Sequence, residues 1–135
     1  MAGGKSNYLE DELLDHVLGG GDFARPATVY VALFTVTPDD TGGGTECSGT
    51  DYARKAVTNN STNWPASTGG SKSNGVELAF PEAGSGGWGT VVAFGIFDAD
   101  SGGNLLYWGP ISPSKAIAEG DVPKFAASGI TITED

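Results

Sequence analysis

Two apolar runs, Thr90–Phe97 and Leu105–Trp108, flank a seven-residue segment, Asp98–Asn104, made almost entirely of turn-forming residues. That pattern predicts a β-hairpin. The first run is β-branched, aromatic or small, so it can be buried, and Gly95 within it permits close approach of another backbone or a ring. Upstream, Leu9, Leu13 and Val17 fall at i, i+4 and i+8, with Leu14 and Leu18 widening the same stripe and Asp11, Glu12 and Asp15 opposite. This spacing predicts an amphipathic helix over residues 6–18, capped by Asn7 with Glu10 in a capping-box position and ended by Gly19–Gly21. Thr28–Phe34 is apolar on both faces, as expected of a central strand covered on each side. Shorter strands are expected at 52–58, 75–80 (Val76, Leu78 and Phe80 inward), 122–127 and 130–133, with a short one at 115–118 in the connection that follows Pro110. Residues 38–51 and 59–74 read as loops, the second a long polar excursion interrupted by Trp64, Pro65 and Ala66.

The result is one helix and about seven strands, an all-β fold: an antiparallel β-sandwich or barrel-like domain with one N-terminal α-helix. Residues 1–135 are expected to form a single domain, with the helix at 6–18 and the sandwich over 26–135. Composition agrees. The 135 residues include 22 glycines and 7 prolines, with 39% hydrophobic residues, which suits short strands and many turns. No apolar run is long enough to cross a bilayer as a helix, and the first residues lack a secretory signal, so a soluble chain with no membrane partner is expected.

Charge changes the picture of partners. Seventeen acidic against seven basic residues give a formal net charge of −10. Phosphate backbones repel such a surface, so no nucleic-acid partner is expected. A lone Cys47 excludes an internal disulfide and a cysteine-based zinc site, and His16, the single histidine, lies in a different segment. Gly84–Gly89 matches GxGxxG in letters, but an expected strand follows it where a dinucleotide needs a helix N-terminus. Asp98, Asp100 and Asn104 alternate as in a calcium loop, yet Gly102 and Gly109 fall where further ligands would be needed. No catalytic residue, metal or cofactor is expected, and the sequons in Asn59–Thr62 read as chance matches. Phe94, Phe97 and Tyr107 are expected in the core, with Trp88 and Trp108 at the ends of the hairpin. Trp64 reads either as a tether for its loop or as a contact with another chain or ligand.

Several segments together resemble a family of small bacteriophage virion proteins, labelled head decoration (cement) proteins or tail-fibre proteins. They are Ser6–Leu9 with Leu13–Leu18, Pro26–Phe34, Tyr52–Arg54, Trp88–Asp98 through Gly102–Gly109, and Phe125–Ala127. The resemblance implies a non-enzymatic structural role on a phage particle. It places a capsid decoration protein first, bound to the major capsid protein on the outside of the head, made in the host cytoplasm and assembled as a homotrimer or another small oligomer. A tail or tail-fibre component touching the host surface, with a glycan as one candidate ligand, is the alternative. The candidate interface residues are Leu9, Leu13 and Val17 on the helix stripe, and Trp64. The stripe must be covered by the sheet or by another chain, and the second option predicts that deleting residues 1–18 leaves a folded β domain.

Overall fold

The computed structural model describes residues 3–134; residues 1, 2 and 135, which the single-domain reading includes, lie outside the described residues. Chain order is β1 (Gly4–Lys5), α1 (Asn7–Val17), β2 (Thr28–Val36), β3 (Thr45–Glu46), β4 (Lys55–Thr58), β5 (Ser71–Ser73), β6 (Leu78–Ala79), β7 (Gly89–Phe97), β8 (Leu105–Ile117), β9 (Lys124–Phe125) and β10 (Thr131–Thr133). A six-stranded sheet runs β1-β8-β7-β2-β3, with β4 also paired to β2; β5 pairs with β10 and β6 with β9 as two small ribbons. All pairings are antiparallel. The protein is an all-β domain with a single N-terminal helix among the described residues.

The sheet is buried on both faces, as the two apolar sides of β2 require. Val29, Val31 and Leu33 point into the main core, shared with Leu9 of the helix, Trp64, Leu78, Phe80, Trp88, Phe94 and Ile96. Ala32 and Phe34 point the other way, into a smaller cluster with Ala93, Phe97, Leu105 and Trp108. Two irregularities in the β7–β8 pairing keep the alternation correct. Val91 and Phe94, three residues apart, both reach the main core because the register shifts between Val91 and Ala93. Gly95 pairs with Ala32 on one side and Trp108 on the other. A Cβ added to Gly95 would lie 2.8 Å from the Phe34 ring, so the missing side chain admits a ring, as its place in the hairpin suggested.

Several elements differ from the sequence reading. Ser6, not Asn7, caps the helix: its hydroxyl oxygen accepts the Leu9 amide at 3.2 Å and donates to the Leu105 carbonyl, and Ser6 is buried. Cap and sheet contact are therefore one residue, a role that local spacing does not show. β8 does not end at Trp108. It detours around Ile111–Ser114 and rejoins β7, with Lys115 to Ile117 opposite Val91 to Gly89. Pro110 and Pro113 interrupt the pattern, which is why the return read as a separate short strand. β1, β3 and β5 had not been expected; they are two- and three-residue strands set by the partner strand rather than by their own residues. Near their expected positions, the strands at 75–80 and 122–127 shrink to the paired residues of β6 and β9.

The β7–β8 turn is locked by Arg54. Its guanidinium donates from Nε and Nη2 to the Glu46 carboxylate, each at 2.9 Å, and from Nη1 to the carbonyls of Ala99 (2.7 Å) and Gly102 (2.9 Å). The same group lies 3.8 Å over the Phe97 ring. Tyr52 joins the network, donating to Glu46 at 2.6 Å and accepting the Leu33 amide at 3.1 Å. Asp98 closes the turn from within, accepting the backbone and side-chain amides of Asn104 with its two oxygens.

Burial, followed by the hydrogen bond to Glu46, pushes the Tyr52 phenol well above its ordinary value of 10.0. Burial, with Glu46 second, pushes the Cys47 thiol from 9.0 up to about 11. Above pH 9 the unfolded chain releases protons that the native state keeps, so it binds fewer protons and stability falls as pH rises. Urea unfolding midpoints should drop progressively from about pH 9 upward, and the double variant Tyr52→Phe, Cys47→Ala should flatten that slope. An unchanged slope in the variant would remove these two groups as its cause.

Candidate functional site

An apolar groove of about 410 Å³ opens between the helix and the rest of the domain. Leu9 and Leu13 form its helical wall, Val29, Ile96, Leu106 and Tyr107 its sheet floor, and Trp64, Lys72 and Ile132 the far side. Phe23, Arg25 and Pro26 shape the near rim. His16 sets that rim: its Nδ1 accepts the Phe23 amide at 3.1 Å, which ties the last turn of the helix to the segment that follows it. The opposite wall is held by Lys72, whose ammonium donates to the carbonyls of Trp64 (3.3 Å) and Pro65 (2.7 Å). Burial, with Glu134 second, raises the Tyr107 phenol above its usual range, so it stays a neutral hydroxyl at ordinary pH.

The four residues singled out from sequence fall into different places. Leu9 is 3% exposed and belongs to the intramolecular core, not to a free interface. Leu13 is half-buried, while Val17 is 72% exposed, with Leu14 and Leu18 beside it at 60% and 73%. The stripe is thus divided along its length: its first turn packs on β8, and the aliphatic side chains of its last turn face solvent. The pairing of β1 with β8 and the burial of Ser6 and Leu9 make residues 4–9 part of the fold, so the deletion of residues 1–18 would remove core as well as surface. Trp64 is 8% exposed, packed in the main core at the groove wall. It anchors its long loop and does not present a free ring face.

Trp64 differs from the other two tryptophans in one respect. Trp88 donates its indole N–H to the Thr50 carbonyl at 2.9 Å and Trp108 donates to Asp40 at 3.0 Å. The Trp64 N–H is buried without a hydrogen-bond partner, a condition that costs about 1–3 kcal/mol. Sequence reasoning missed the basic edge of the groove, because Arg25 and Lys72 are far apart in the chain. It also missed Asn74, buried and fully satisfied, which donates to Val76 and Ala126 and accepts from Ile130, stitching the C-terminal segment to the wall. No three His, Cys, Asp or Glu side chains converge among the described residues.

A family model described as Podophage GP4 fiber I protein gp80 matches residues 4–133, nearly the whole chain, and the protein belongs to that family. It is a phage virion structural protein. A comparison with curated proteins gave no match.

Trp64→Ala and Trp64→Phe both remove the unpaired indole N–H, but alanine leaves a large cavity in the core where phenylalanine keeps most of the ring packing. Trp64→Ala should therefore lower stability by about 3–5 kcal/mol and Trp64→Phe by less than half of that, measured by urea unfolding. Equal losses would mean that ring packing in the core is not what Trp64 contributes.

Proposed function

We propose that this chain is a non-enzymatic subunit of a fibre on the phage particle, self-associated as a homotrimer or another small symmetric oligomer. The observation that carries the reading is the match over residues 4–133 to a family whose description names a fibre protein. The description supports the fibre role, which the resemblance drawn from the sequence had placed second to decoration of the major capsid protein. The arrangement of apolar surface supports a structural rather than a catalytic part. A solvent-facing aliphatic helix end sits beside a groove of apolar side chains, the kind of surface that subunits bury on assembly. The acidic balance of the chain, 17 carboxylates against 7 cations, favours protein neighbours over nucleic acid or anionic membrane. A glycan platform would use an exposed ring, and Trp64 is buried in the groove wall.

Quantitative mass spectrometry of tailless heads and of isolated tails tests the address. The protein should be recovered with the tails, in a copy number that is a small multiple of the tail symmetry. Recovery in many copies on heads that lack tails would overturn the fibre reading and assign a decoration role on the outside of the capsid.

A further inference from the structure

We propose that the groove receives the C-terminal half of α1 from a second copy of this chain. The proposal rests on the self-association read above and names the contact that makes it. Leu14, Val17 and Leu18 are the most exposed large aliphatic side chains among the described residues, at 60%, 72% and 73%. They stand together at the end of the helix, where their own domain leaves them uncovered, and they do not line their own groove. The groove is apolar along its floor, and its volume of about 410 Å³ is in the range that takes a cluster of side chains.

Charge selects this occupant over an apolar segment of another kind. The chain holds 17 Asp and Glu, yet the groove lining contains none of them and includes two cations, Arg25 and Lys72. The C-terminal half of the helix carries Glu12 and Asp15 beside its exposed aliphatic side chains, so an acidic amphipathic segment of matching chemistry exists in every copy. Electrostatic complementarity of this kind fixes register and speeds encounter more than it adds affinity. Because the knob and the groove are different surfaces of one molecule, the contact is head-to-tail, and repeated with a closing rotation it gives a ring.

The experiment uses the full chain and reads mass by light scattering during size-exclusion chromatography. Wild-type protein should run as an oligomer. Leu14→Asp with Val17→Asp places charges on exposed positions and should raise the dissociation constant at least about tenfold. Ala66→Glu puts a carboxylate at an exposed position in the groove lining and should do the same. Val122→Asp, an exposed aliphatic site outside the groove lining, should leave association unchanged, and circular dichroism should show all variants folded. The helix variant keeps its groove and the groove variant keeps its helix end, so mixing the two should recover a one-to-one complex. Wild-type protein that stays monomeric, or knob and groove variants that assemble as the wild type does, would overturn the proposal. So would a mixture that remains monomeric, or native mass spectrometry showing a small molecule retained by the wild type and lost in Ala66→Glu. An oligomer insensitive to both variants refutes this contact alone and leaves the fibre reading to its own test on isolated tails.

Discussion

Arg54 is the interaction on which the rest of the structure depends. A guanidinium offers five donors in a rigid planar fork, and here it reaches a carboxylate on β3, two carbonyls in the β7–β8 turn and the face of Phe97 at once. Its side chain is only 6% exposed. A charge in that position is tolerated because it is paired and hydrogen-bonded along its whole edge. The consequence is topological. β3 has two residues and the turn has almost no apolar side chains, so neither could hold its place by burial; both are positioned by the same cation. With the turn fixed, Phe97 stacks 6.1 Å from Phe34 over Gly95, and the second face of the sheet closes.

Packing on two faces then decides where function is left. The small cluster around Phe34, Phe97 and Trp108 is covered by the turn and by the segment carrying Asp40, whose carboxylate accepts the Trp108 N–H. The main core has more to cover and a short helix to cover it with. Leu9 and Leu13 reach the sheet, but Leu14, Val17 and Leu18 face solvent, so the groove stays open and the last turn stays bare. Opposite chemistry gathers on these two surfaces: carboxylates on the helix, cations at the groove.

Much of this was legible in the pattern of residues. The hairpin, the buried strand at 28–34, the helix and the need of Gly95 for a close ring follow from local periodicity and side-chain size. What was not legible depends on partners distant in sequence. Ser6 caps the helix because Leu105 lies against it; Arg54 reads as one more charge on a short strand until the turn 45 residues later comes to it. β1, β3 and β5 carry no strand signal of their own: β1 and β3 exist because the edges of β8 and β2 were free to pair, and β5 because the last strand, β10, comes alongside it. For the candidate site, the sequence supplied the helix stripe and Trp64 but not their division into buried and exposed halves. Burial along an amphipathic helix depends on how far the sheet extends beneath it, which no spacing rule reports. Asn59–Asn74 looked like an excursion because its fastening, Lys72 and Asn74, consists of polar side chains satisfied by backbone groups across the fold.

The most direct measurement on this account is the unfolding free energy of Arg54→Met, read together with hydrogen exchange in the β7–β8 turn. Methionine fills similar space, but leaves Glu46 with Tyr52 and water and frees the carbonyls of Ala99 and Gly102. Stability should fall by about 2–4 kcal/mol, toward the lower end for breaking a buried ion pair because Glu46 keeps some contact with water, and the amides of residues 98–104 should lose protection. A change within about 0.5 kcal/mol, the range of an ordinary surface substitution, with protection of the turn intact, would contradict the central place given to Arg54.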